Sequence, residues 1–153
     1  MSIELNSPAF KSGSTIPKQY TGDGEDKSPP LHWSAPPEGT KSLVLICDDP
    51  DAPIGTWVHW VLFNLPAATR DLKEGVPATK TLANGAQQGK NDFGKIGYGG
   101  PAPPKGKPHR YFFKLYALDR TVKLAPGATK AQLTEAMKGH ILTEGQLIGT
   151  YGR

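Results

Sequence analysis

Apolar positions along the chain gather into three dense runs, set between long polar stretches rich in glycine and proline. The first, SLVLIC at 42–47, has no helical period, is rich in β-formers and carries turn signals on both sides. That pattern predicts a buried strand. It stops at DDPDAPIG, where Pro50 and Pro53 cannot continue a central ladder. The second, WVHWVLFNLP at 57–66, predicts another buried strand, ended by Pro66. The third is HRYFFKLYALD at 109–119. Successive strand side chains point to opposite faces, so His109, Tyr111, Phe113, Leu115 and Ala117 share one face. The same rule places Trp57, His59, Val61 and Phe63 together. Shorter strands are expected at LHW (31–33) and in TVKLAP from Thr121.

One segment follows a helical period. In TKAQLTEAMKGHIL, Thr129 and Gln132 stand in capping-box register. Leu133, Ala136, Met137, His140 and Ile141 fall on one side at helical spacing. Gly145 is expected to break this helix, and QLIGTYGR to close the chain in an extended form. The pattern is that of a β-rich domain with one convincing helix.

Composition narrows the picture. A chain of 153 residues suits one domain with a real core, and no internal repeat suggests a second. Gly (18) and Pro (15) are enriched over ordinary usage but stay below the level of low-complexity disorder, so the loops should be long and the domain folded. The net charge of +4 comes from scattered lysines, with no basic run of the kind that marks a nucleic-acid or membrane surface. A single cysteine, Cys47, excludes an internal disulfide framework and sits in an apolar run, where it reads as a small hydrophobe. The start, MSIELNSPAF, lacks a basic-then-apolar signal, and no apolar run approaches the roughly 20 residues of a membrane span. The expectation is a soluble, cytoplasmic protein without stable membrane insertion.

Three stretches carry candidate chemistry. In DDPDAP, Asp48, Asp49 and Asp51 crowd a strand end, and two prolines restrict the backbone around them. This is either a plain strand-ending turn with solvated acids or a device that holds carboxylates in one orientation; the Ala52–Pro53 bond is a candidate for the cis form. In TWVHWVLF, His59 lies between Trp57 and Trp60. It is either a satisfied core histidine or the polar end of an aromatic-walled pocket. In GYGGPAPPKGKPHRYFF, Gly97, Gly99 and Gly100 let backbone amides approach a neighbour closely, and such amides can form an anion nest. Pro101, Pro103 and Pro104 stiffen the exit, and His109 follows with Tyr111 on its face. Two imidazoles, a phenol, bare amides and a buffering carboxylate compose an anion site. A metal site from Asp49, His59 and His109 is open on ligand type, but no Cys/His spacing supports it. Neither a P-loop nor a G-x-S-x-G elbow occurs.

Taken together, SPAF, IPKQYTGDGEDKSPPLHWSAPP, DDPDAP, WVHWVLFNLP, GYGGPAPPKGKPHRY and the final GTYGR resemble the bacterial and archaeal branch of the phosphatidylethanolamine-binding protein family. The resemblance runs through most of the chain. It implies a single domain over 1–153 that is mainly β, an antiparallel β-sandwich with one or two short helices and a small cavity at one end. It implies a ligand, phosphate or a phosphorylated small molecule such as phosphorylethanolamine, and no cofactor. It implies a lining of Asp49, Asp51, Trp57, His59, Gly97, Gly99, Pro101, His109 and Tyr111, with Arg110 in structural pairing with Asp51. The expected function is non-enzymatic anion binding. Two alternatives stand beside it: an interaction module that inhibits a kinase or serine protease through loops such as Lys90–Lys107, and a weak ester or phosphoester hydrolase using Asp49 and His59. Relatives in this branch also suggest a homodimer. Kinase-inhibitor labels in the branch rest on analogy, which is not evidence of function.

Overall fold

The SLVLIC run is continuous rather than alternating because its strand is covered on both sides, as the computed structural model of residues 2–153 makes plain. Among the described residues, eight strands form two antiparallel sheets. The larger contains β3 (Ser42–Asp49), β4 (Trp57–Pro66), β6 (Gln87–Gln88), β7 (His109–Leu118) and β8 (Ile141–Tyr151), in the order β6-β4-β3-β7-β8. The smaller contains β1 (Leu5–Asn6), β2 (Leu31–Trp33) and β5 (Asp71–Leu72), with β2 in the middle.

One core lies between the sheets. Leu43, Leu45, Cys47, Trp60, Leu62, Tyr111, Phe113, Leu115 and Leu147 of the large sheet meet Leu5, Leu31, Trp33 and Leu72 of the small one. The other face of the large sheet carries a second core, in which Val44, Ile46, Val58, Val61 and Phe63 pack with Leu133 and Met137 of the helix α1 (Lys130–Met137). The capping box forms as its sequence predicts: Thr129 Oγ1 accepts from the Gln132 amide, and Gln132 Oε1 accepts from the Thr129 amide. Lys130, in the first turn, reaches back to the buried carboxylate of Asp48 at 2.6 Å. Asp48 therefore faces the helix, away from Asp49.

Four expectations from the pattern need correction. The helix ends at Met137, followed by Gly139 at φ +78°, so His140 and Ile141 are not helical. Gly145 lies inside β8, where Ile3 O would meet any added Cβ. TVKLAP forms no strand; its Val122 amide and carbonyl bond instead to the side chain of Asn64. No cis peptide bond occurs among the described residues, Ala52–Pro53 included.

A fifth correction matters most for the site. Trp57 and His59 do not share a face with Val61 and Phe63. Cys47 pairs with Trp60 but the next residue, Asp48, pairs with Val58, so β4 carries one extra residue, His59, in a β-bulge. The bulge turns His59 and Trp60 to the same side of the sheet. Beyond it, Val61 and Phe63 pack toward the helix. A second bulge follows at Asn64, at φ +56°, and returns Leu65 to the inter-sheet core.

Candidate functional site

The antiparallel order brings the end of β3 and the starts of β4 and β7 to one end of the large sheet. Asp49 pairs with Trp57 across β3 and β4, and His109 opens β7. Here a cavity of ≈ 330 Å³ opens, lined by Asp49, Trp57, His59, Phe93, His109 and Tyr111, with Ala52, Pro53, Ile54, Ala102, Pro103 and Pro104 completing the wall. That volume is at the small end of the range of ligand sites. A wider hollow, ≈ 790 Å³, lies between the N-terminal segment and β7–β8 but gathers no imidazole.

Asp49 and the two imidazoles are each held from behind. His109 Nδ1 lies 2.7 Å from Asp49 Oδ2, in a nearly sealed pair. A carboxylate only accepts, so Nδ1 carries the proton and Nε2 is left for the cavity. The other oxygen of Asp49 accepts from the Asp51 amide at 2.7 Å. His59 Nδ1 lies 2.6 Å from the carbonyl of Gly99. Burial pushes the His59 imidazole below its usual pKa, against the opposing pull of the Gly99 carbonyl and the nearby Asp49 and Asp92. The ring is edge-on to both Tyr111, with centroids 5.1 Å apart, and Phe93, at 5.4 Å. Burial likewise pushes the Tyr111 phenol well up, so its hydroxyl keeps its proton. Tyr111 is only 1% exposed, yet its hydroxyl has no protein partner among the described residues. Among the described residues no fully enclosed side-chain N or O lacks a partner, so this hydroxyl is reachable from the cavity, as are Nε2 of His59 and of His109.

Five predicted site residues, Asp49, Trp57, His59, His109 and Tyr111, thus line one cavity. Four do not. Asp51 turns to the outside, where its carboxylate accepts from the Arg110 amide, Nε and Nη2, all at 2.9 Å. Those bonds hold its pKa down to about 2. The resemblance anticipated this pairing, which clamps the 50–56 loop to the start of β7. Gly97, Gly99 and Pro101 form the support of the cavity rather than its surface. The Gly97 amide donates to Gly89 O, the Gly99 amide to His59 O, and the Gly100 amide to Asp26 Oδ1. The expected nest of bare amides is therefore spent inside the fold, because the loop runs alongside β4 and takes up its free edge. Proline 101 offers a carbonyl, accepting from Gly22.

Two wall residues escaped the sequence reading. Phe93 projects from a tight turn in which the Phe93 and Lys95 amides donate to Asn91 Oδ1 and Gly94 takes φ +79°. Its ring packs on Gly99, where an added Cβ would come within 2.5 Å of it. Ile54 stands at the rim, 85% exposed. A lone aromatic in the polar stretch KNDFGK was the available signal for Phe93. Among the described residues, no three His, Cys, Asp or Glu side chains are grouped to hold a metal ion.

Comparison with known proteins agrees with this architecture. The profile of the phosphatidylethanolamine-binding protein family matches residues 6–152. The chain belongs to that family. A UPF0098 protein of Methanothermobacter thermautotrophicus is 53% identical over 151 residues, covering 99% of both chains. A UPF0098 protein of Aquifex aeolicus is 51% identical, over 99% of this chain and 89% of its own. Among solved structures, a putative phosphatidylethanolamine-binding protein homologue from Chlamydia trachomatis superposes with a TM-score of 0.90 at 44% identity, covering 99% of this chain and 98% of that one. YbcL of E. coli, described as a new member of the mammalian family, superposes at 0.92 with 33% identity, covering 100% and 99%. The family's two-sheet architecture is thus the fold of this chain. No helix among its described residues is long and apolar enough to cross a membrane.

Proposed function

We propose that this member of the phosphatidylethanolamine-binding protein family binds a small phosphate-type anion, without turnover, in the cavity between Asp49, His59, His109 and Tyr111. One observation carries the reading: two imidazole nitrogens and a phenol hydroxyl, all lacking partners among the described residues, open into a single cavity whose other walls, Asp49 apart, are apolar. His109 is the main anion ligand. Asp49 holds the ring through Nδ1, and in the imidazolium form Nε2 donates to a phosphate oxygen. Tyr111 donates its O–H. Trp57, Phe93, Ile54 and the three prolines suit an organic substituent on the anion, such as an ethanolamine chain. Charge-assisted bonds contribute about 1.5–3 kcal/mol each before desolvation and ordering losses, which places the affinity in roughly the micromolar to millimolar range.

The Asp49–His109 pair is also the arrangement of a general base, so a hydrolase would rest on His109 rather than on His59. Among the described residues no serine, threonine or cysteine lines the cavity, and Cys47 is sealed in the core. Binding is therefore the reading we adopt. Calorimetry with phosphorylethanolamine tests it. The wild-type protein should bind, and His109→Ala should weaken binding by about ten- to a hundred-fold. Undiminished binding by that variant would remove the proposal.

A further inference from the structure

We propose that His59 makes this pocket select for anions that carry an O–H group: hydrogen phosphate or a singly protonated phosphomonoester, rather than sulfate. This deepens the anion-binding reading above and rests on it. The argument starts from the backbone. A carbonyl oxygen has no proton to give, so the 2.6 Å contact between His59 Nδ1 and Gly99 O fixes the proton on Nδ1. The reciprocal bond from the Gly99 amide to the His59 carbonyl holds the two segments in register, so the ring cannot turn over without losing its partner. The Nε2 atom then presents a lone pair to the cavity. Burial favours the neutral ring, which is only 3% exposed.

The two imidazoles are consequently not equivalent. His109 is backed by a carboxylate and can donate. His59 is backed by a carbonyl and accepts. An anion whose oxygens are all acceptors places a lone pair against the lone pair of Nε2. An anion with one protonated oxygen satisfies both rings at once, donating to His59 and accepting from His109 and Tyr111. A polar group left unpaired in a buried site discriminates strongly between otherwise similar ligands. Inorganic phosphate keeps at least one proton throughout the neutral range, whereas sulfate keeps none, and the two ions have nearly the same size and shape.

The experiment compares sodium phosphate with sodium sulfate at pH 7 by calorimetry on the whole chain, using His109→Ala to assign binding to this cavity. Phosphate should bind at least about ten-fold more tightly than sulfate. In the phosphate complex, nitrogen-detected NMR should find Nε2 of His59 unprotonated. His59→Gln can present either a donor or an acceptor, so it should bring the ratio close to one. The NMR measurement on wild-type protein keeps the test decisive if that variant fails to fold. Comparable phosphate and sulfate binding, both lost in His109→Ala, would overturn the selection by His59 and leave the anion site standing. Protonation of Nε2 in the phosphate complex would do the same. Failure of phosphate and of phosphorylethanolamine to bind at all would remove both readings.

Discussion

His59 and Gly99 are joined twice: the imidazole Nδ1 contacts the Gly99 carbonyl at 2.6 Å, and the Gly99 amide donates to the His59 carbonyl at 2.9 Å. The glycine- and proline-rich loop is thereby fastened to β4 at the residue that faces the cavity. The imidazole is positioned by the backbone of a loop and not by another side chain. That distinction sets its tautomer.

The ring of His59 should titrate below its reference value of 6.5, because burial opposes its charge. The native state then binds fewer protons than the unfolded chain over that window. Stability from this group is complete above pH 6.5 and is lost as pH falls through the lowered native value. NMR titration of the His59 ring reads the midpoint, and a value at or above 6.5 would contradict the assignment. Urea midpoints followed across the same range should fall more steeply for wild type than for His59→Gln.

Replacing Gly99 by alanine should damage the cavity without straining the backbone. The new methyl group would meet the Phe93 ring at 2.5 Å and push it from the wall it shares with Trp57 and His59. Overpacking of this kind costs about 1–3 kcal/mol. Thermal unfolding should show that loss, and phosphorylethanolamine should bind more weakly. Because Phe93 is 42% exposed, the ring can be removed cheaply. The double variant Gly99→Ala with Phe93→Ala should therefore recover most of the stability. Additive losses would show that Phe93 is not what limits residue 99.

The Asp51–Arg110 clamp predicts a separate dependence on acid. Its three hydrogen bonds lower the Asp51 carboxyl to about 2, from a reference of 3.8. A lowered carboxyl stabilises the fold above its unfolded pKa, and that contribution disappears as pH falls toward 2. Solvent screens the pair, since Arg110 is more than half exposed, so the effect is about 1 kcal/mol. Asp51→Asn should be less stable than wild type by that amount at pH 7 and equal to it near pH 2. A constant difference in urea midpoint at both values would assign the loss to packing rather than to charge.

The long strands and the helix start were legible because each is written in local chemistry. SLVLIC, WVHWVLFNLP and HRYFFKLYAL are apolar and bounded by proline or charge, and Thr129 and Gln132 satisfy each other within one turn. What escaped depends on distant partners. β8 reads poorly because its edge is half polar, and it is completed by amides of Ile3, Gly13 and Ile16 from the other end of the chain. TVKLAP has the composition of a strand, but Asn64 takes both of its Val122 backbone groups. At the site, the pair of imidazoles, the phenol and the carboxylate followed from motif and alternation. Which carboxylate oxygen meets which ring, and that the loop amides are already engaged, required the neighbouring strands to be in place. The bulge at His59 has no composition cue; only the pairing of Cys47 and Asp48 across the ladder reveals it.

That bulge separates what the sheet requires from what the cavity requires. Cys47 and Asp48 already have their opposite numbers in Trp60 and Val58, so the ladder is complete with His59 left out of the count. Loss of a single codon there would straighten β4, keep both cores and abolish the proton-reading ring in one event. Descendants carrying such a deletion would inherit an intact scaffold with a silent pocket, free to be judged by whatever its surface does.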